Sequence, residues 1–151
     1  MQYIFVNGKV AILIEYCEEH YEQIDAGARI DFRRVEKYEG AVVREGIEGY
    51  RILPVSEGGI WRIDLSHRID CEVPQQRFHH HPDFRDGDVG PRTYDADLAE
   101  DPFGWIERHL LDLPAVLEKK GFADLAESID VARYGKDMPL IRTAIENSLA
   151  A

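Results

Sequence analysis

Three consecutive histidines, His79, His80 and His81, sit in the run Arg77-Phe78-His79-His80-His81-Pro82-Asp83-Phe84 and make up half of the six histidines in the 151-residue chain. Imidazole is the side chain whose ordinary proton equilibrium lies near neutral pH, and it is the commonest metal ligand. If this stretch is extended, His79 and His81 project from one face, about 7 Å apart along the backbone. That spacing suits holding one ion or flanking one substrate. A third ligand can come from the preceding strand, which carries Asp64 and His67, or from the following loop with Asp83, Asp86 and Asp88. Histidine and carboxylate with an open coordination position suit zinc or non-haem iron. The metal set expected from the sequence is His79, His81 and Asp64.

The same residues allow a site without metal. His79 or His81 could serve as a general base, with Arg62, Arg68 or Arg92 holding an anionic group and Tyr94 donating a hydrogen bond. Arg62 then joins His79 and His81 as a catalytic candidate for a hydrolase-type reaction. A third reading needs no chemistry: the histidines form a hydrated sheet face, or a network that pins the Asp83–Asp97 loop to the sheet. Parity constrains all three readings. Phe78 shares a face with His80, while His79 and His81 share the other with Arg77. If Phe78 is core, His80 is buried and structural, and His79 and His81 face outward or into a cleft. If His79 and His81 line a cupped sheet, Phe78 lies outside. His67 and His109 fall on apolar faces and read as satisfied core histidines, whereas His20 sits among glutamates in solvent.

The elements that must position these residues change character near Asp95. Asn7-Gly8 marks a tight turn between apolar runs. Val10, Ile12, Ile14 and Tyr16 alternate as a strand, with Glu18 to Gln23 a helical or loop extension. Ala28 to Tyr38 reads as an imperfect, charge-rich strand near a sheet edge. Glu39-Gly40 and Glu45-Gly46 read as turns. Tyr50 to Ile69 reads as a hairpin closed by a positive-φ turn at Glu57-Gly58-Gly59, its second strand alternating cleanly from Trp61 to Ile69. Asp83 to Asp97 is a polar loop. Asp101-Pro102 then caps a helix with the apolar stripe Phe103, Trp105, Ile106, His109, Leu110 and Leu113. Pro114 restarts or kinks that helix, and Gly121 stops it. Phe122 to Val131 forms a short helix, and Asp137 caps the last one. Strands first and helices last predict a single α+β domain over residues 1–151, mainly β to 95 and mainly α from 96, with an antiparallel sheet packed on one face by the helices. Trp61, Ile63 and Leu65 are expected to pack against Trp105, Ile106 and Leu110.

Composition narrows the function classes. Acidic residues outnumber basic ones 29 to 18, giving a formal net charge of −11. Such a surface repels phosphate backbones and anionic membranes, and argues against nucleic-acid binding. It is compatible with a cation or a basic protein partner. Cys17 and Cys71 are too few for a disulfide framework, and no CxxC occurs, so both read as reduced thiols. The N-terminal residues do not read as a signal peptide, and the Val10–Ile14 run is far short of the ~20 residues of a membrane helix. The expectation is a cytoplasmic protein without a membrane contact. Asp86-Gly87-Asp88 lacks the rest of a calcium loop. No Walker loop, dinucleotide fingerprint, nucleophile elbow or HExxH is present.

Trp61-Arg62-Ile63-Asp64-Leu65, the Phe78–Phe84 run, Tyr94-Asp95, Asp101-Pro102-Phe103-Gly104-Trp105 and Asp112-Leu113-Pro114 together resemble a family of small bacterial proteins, mainly actinobacterial, to which no activity is attached. The likeness spans Trp61 to Gly121. The family pattern H-x-H-P-x-F falls on His79, His81, Pro82 and Phe84, which implies that His80 is the dispensable histidine and that His79, His81, Arg62 and Asp64 act as one constellation. Two readings stand side by side: a metal- or anion-binding site centred on His79 and His81, or an acidic module of the immunity-protein or antitoxin kind that neutralises a basic partner.

Overall fold

A computed structural model describes residues 1–38 and 49–151; the Glu39-Gly40 and Glu45-Gly46 turns lie outside the described residues. Its strands are β1 (Gln2–Asn7), β2 (Val10–His20), β3 (Ile24–Tyr38), β4 (Gly49–Ile52), β5 (Gly59–Arg68), β6 (Gln75–Gln76) and β7 (His79–His81), all antiparallel to their neighbours in one sheet. The path runs β1-β2-β3-β5-β6, with β4 beside β3 and β7 beside β5. Register shows that β6 and β7 lie end to end along the same edge of β5, pairing His67 with Gln76 and Asp64 with His79. The helices are α1 (Val55–Gly58), α2 (Ala96–Glu100), α3 (Pro102–Leu111), α4 (Leu113–Lys119), α5 (Ala123–Ser128) and α6 (Val131–Leu149). Helices from the C-terminal half cover one sheet face, with α6 resting on β1, β2 and β3. The expected α+β architecture is therefore present.

Alternation in the strands decides what each face does. Ile12 and Ile14 of β2, Ile30 and Phe32 of β3, Trp61, Ile63 and Leu65 of β5, and Phe78 beside β7 all turn toward the helices. They join Trp105, Ile106 and Leu110 of α3 and Ile141, Ala144 and Ile145 of α6 in one core cluster. Trp61 and Trp105 meet with ring centroids 5.6 Å apart. Leu65 is fully buried. Leu65→Ala is expected to cost about 2–5 kcal/mol of unfolding free energy, measured by urea denaturation. A loss under about 1 kcal/mol would place Leu65 outside the core.

Four local expectations need correction. Glu18 to His20 continue β2 as strand, and only Tyr21 to Gln23 turn. The charge-rich segment is not an edge: β3 begins at Ile24 and lies between β2 on one side and β5 and β4 on the other. Arg29, Asp31 and Arg33 sit on the face away from the helices, where Asp64 and Arg62 of β5 supply opposite charges, whereas Arg34 reaches Asp124 of α5. Tyr50 to Ile69 is not a hairpin. β4 pairs with Val35–Tyr38 of β3, and residues 55–58 form α1, with Gly59 at φ −63°. Pro54 favours that outcome, because it opens a short helix where a two-residue hairpin would need positive φ. Finally, α6 is capped by Asp130, whose carboxylate accepts from the Ala132 N–H, and Asp137 lies within it. Pro139 forfeits one backbone bond in the helix interior, but Tyr134, Ile141, Ala144 and Ile145 hold both flanking turns in the core. Pro114 and Gly121 behave as expected: α3 ends at Leu111, α4 restarts at Leu113, and Gly121 takes φ +85°.

The β1–β2 turn is tied to the helical layer. Gly8 has φ +59°, and a Cβ there would lie 2.1 Å from the Ser128 carbonyl oxygen. The buried Asn7 side chain donates to the Asp130 carbonyl at 2.9 Å and accepts from the Asp130 N–H at 3.0 Å, joining the hairpin to the start of α6. Gly8→Ala therefore meets both a disfavoured φ and a backbone clash. A loss of about 2–4 kcal/mol in chemical denaturation is expected. An unchanged midpoint would mean that the hairpin does not press on Ser128.

Candidate metal centre

The second face of the sheet is a buried polar layer. Across it, β3 and β5 pair Arg29 with Asp64 and Asp31 with Arg62, while β5 and β7 pair Asp64 with His79 and Arg62 with His81. Residues facing each other across antiparallel strands have Cβ atoms about 4.5–5.5 Å apart. Asp64 is thus the point where three strands bring their polar side chains together. Its exposure is 5%, and those of His79 and His81 are 2% and 7%.

Each histidine is fixed by the backbone. His79 Nδ1 lies 2.8 Å from the Arg77 carbonyl oxygen, and His81 Nδ1 lies 3.0 Å from that of Gly90. A carbonyl only accepts, so both Nδ1 atoms carry the proton and donate. Each ring therefore meets Asp64 through Nε2, which donates to the carboxylate when it carries a proton and offers a lone pair to a cation when it does not. Both Nε2 atoms face the same carboxylate oxygen, Asp64 Oδ2, at 3.4 Å. That is within ion-pair reach, yet His79 Nε2 is buried without a hydrogen-bond partner. The three ligand atoms all lie within 4.8 Å of one another.

Arg29 holds the other oxygen: its Nε donates to Asp64 Oδ1 at 2.8 Å, and its terminal nitrogen donates to Glu19. Burial alone would raise the Asp64 carboxyl, but the imidazoles of His79 and His81 and the Arg29 guanidinium outweigh it and hold the group well below the usual carboxylate range. Asp64 is therefore ionised, with Oδ2 free to bind a cation. Burial also lowers the Arg29 guanidinium, yet its contacts with Asp64 and Glu19 carry it above its ordinary value. Burial pushes the nearby Cys17 thiol up. Cys17 and Cys71 are both free. A cavity of about 10 Å³ adjoins the cluster, lined in part by Cys17, Glu19, Arg29 and Ser66. That is room for about one water molecule.

The remaining sequence candidates separate. Arg62 is committed to Asp31 through a bidentate pair at 2.6 and 3.1 Å, and Arg33 reaches the same carboxylate at 3.0 Å. Arg68 pairs with Asp70, and Arg92 with Glu19 and Asp25. Each arginine considered for an anionic substrate is thus already neutralised. Tyr94 lays its ring against His79, with centroids 5.6 Å apart, and is largely exposed. Phe78 is core and His80 shares its side, as the first parity alternative requires. Of the two directions left open for His79 and His81, outward or into a cleft, the outward one does not follow, because the loop after β7 folds back over them. Thr93 exchanges backbone hydrogen bonds with His80 at 3.0 and 2.8 Å, and Gly90 caps His81. His80 is less buried than its neighbours and accepts from Trp61 Nε1 at 3.1 Å. Burial pushes its ring down to about 4, so it is neutral at neutral pH. His67 packs edge-on against Phe78, His109 stacks on Trp105, and His20 is exposed beside Glu18.

Sequence reasoning missed Arg29 and Glu19, which orient and balance Asp64. Their signal was present in the odd positions of β2 and β3, but it needed the central placement of β3 to be read. Comparison with protein-family models, curated proteins and solved structures finds no match. Among the described residues, no helix is long and apolar enough to cross a membrane.

Proposed function

We propose that this protein binds a divalent transition metal ion, of the zinc or ferrous iron type, through Asp64 Oδ2, His79 Nε2 and His81 Nε2. The observation that carries the reading is the pair of 3.4 Å separations from Asp64 Oδ2 to the two nitrogens. A charge-assisted hydrogen bond would close to about 2.7–2.9 Å. With metal–ligand bonds of about 2.0–2.1 Å, a tetrahedral site has ligand atoms about 3.3–3.4 Å apart. The Nδ1 contacts to backbone carbonyls are the outer partners that fix metal-binding histidines in the required tautomer. Arg29 leaves one carboxylate oxygen available and, through Glu19, adds no net charge of its own.

Three protein ligands leave a coordination position open, the arrangement used by hydrolytic zinc and non-haem iron centres. Here the space beside it admits about one water. A hydrolase-type reaction on anything larger therefore requires the loop over His81 to move. The alternative supported by a specific contact is that His81 serves only to pin that loop through Gly90.

Titration of chelator-stripped protein with Co²⁺ separates the two. The metal reading predicts visible d–d absorption saturating at one equivalent, and its loss in the folded His79→Gln/His81→Gln variant. A pinning role predicts no absorption change in either protein.

A further inference from the structure

On the other side of β7, His80 contributes to a second concavity. It is lined by Trp61 of β5, His80, His109 of α3, Val116 and Lys119 of α4, and Lys120, and has a volume of about 240 Å³. We propose that this cleft binds a small planar aromatic carboxylate. The proposal does not depend on the metal reading, since the sheet separates the two sites.

Size comes first. A cavity of about 150 Å³ suffices for benzene, so 240 Å³ accommodates one substituted ring. The walls are aromatic: Trp61 lies 5.9 Å from the His80 ring and 5.7 Å from the His109 ring, centroid to centroid. Trp105 backs His109 in a stacked pair at 3.7 Å. Offset and edge-to-face contacts are what a guest ring would make there. His109 Nδ1 donates to the Trp105 carbonyl at 2.7 Å and His80 Nδ1 accepts from Trp61, so both rings are held in place.

Charge then selects the guest. The chain carries a net −11, and every arginine near the polar sheet face has a carboxylate partner. Lys119 and Lys120 differ: among the described residues, neither has a carboxylate within ion-pair distance. Lys120 Nζ sits 5.8 Å above the Trp61 ring and donates to the Pro82 carbonyl. An ammonium has three donors, so this leaves capacity for an incoming oxygen. Burial lowers the Lys120 ammonium from its ordinary value. The Asp83 carboxylate offsets this only in part, and an anion in the cleft would add to the compensation. Lys119, exposed at the end of α4, provides the second cation.

Trp61 and Trp105 are the only tryptophans of the chain, so intrinsic fluorescence reports on this cleft. The test titrates the protein with benzoate, with benzamide as the uncharged analogue and benzylammonium as the cation. Benzoate is expected to give saturable quenching with a Kd at least about tenfold below those of the other two. Lys119→Gln/Lys120→Gln should erase that preference, and Val116→Phe, which fills the cleft, should weaken benzoate by about tenfold or more. If the double variant fails to fold, Lys119→Glu alone, at an exposed position, should still reduce the preference. Chelator treatment should change none of these values. Equal affinities for the three probes, an unchanged preference in the lysine variants, or no saturation by about 10 mM benzoate would overturn the proposal.

Discussion

Zn²⁺ added to chelator-stripped protein at about a thousandfold its Kd is expected to raise the unfolding free energy by about 4 kcal/mol. For a chain of this size that corresponds to roughly 10 °C in Tm. The physical source is linkage: Asp64, His79 and His81 converge only when β5 and β7 are paired, so the unfolded chain has no equivalent site. Differential scanning calorimetry with and without Zn²⁺ reads the effect directly. The His79→Gln/His81→Gln variant should show no shift with metal. A shift of equal size in that variant would mean that zinc binds elsewhere and that the cluster serves only the fold.

Asp64→Ala is expected to destabilise the metal-free protein by about 3–5 kcal/mol, the usual loss when one partner of a buried ion pair is removed. Arg29 would keep Glu19 but lose Asp64, and both imidazoles would lose their shared carboxylate. The companion variant Asp64→Leu/Arg29→Met removes the pair together and should recover most of that loss, since a buried ion pair contributes little over an apolar pair of similar volume. Glu19 retains Arg92 as a partner in this variant. Neither variant should bind Co²⁺. Urea denaturation checks the energetics, and a double variant as unstable as Asp64→Ala would show that the pair is not the source of the loss.

Much of this arrangement was legible in the residues, and what escaped has a common physical cause. The change from period-two alternation in Trp61–Ile69 to the helical stripe of Phe103–Leu113 revealed the α+β order, because each pattern buries one face only. The same alternation placed Trp61, Ile63 and Leu65 opposite Trp105, Ile106 and Leu110. Parity put His79 and His81 together and away from Phe78, and Asp64 on the adjoining strand completed the set. The sequence was misleading where charge was read as exposure. The charges of Ala28–Tyr38 suggested a sheet edge for β3, yet Asp31 is buried against Arg62 of β5 and Arg33 of its own strand, and Asp25, near the start of β3, against Arg77 and Arg92. The cross-strand pairs among these are set by long-range register, which local patterning does not encode. The burial of His79 and His81 escaped for a related reason: it depends on the 82–95 loop returning over the sheet through Thr93 and Gly90. At α6, Asp137 was an adequate local cap signal, but the tertiary packing of Tyr134 extended the helix back to Asp130.

The most direct measurement is the metal content of tag-free protein, purified without chelator and analysed by inductively coupled plasma mass spectrometry alongside His79→Gln/His81→Gln. The account predicts close to one transition-metal ion per chain in the unaltered protein and a near-zero content in the folded variant. Metal-free protein that also takes up none from added Zn²⁺ or Fe²⁺ would contradict it, and would leave Asp64, His79 and His81 as an ionic network that ties β5, β7 and the following loop together.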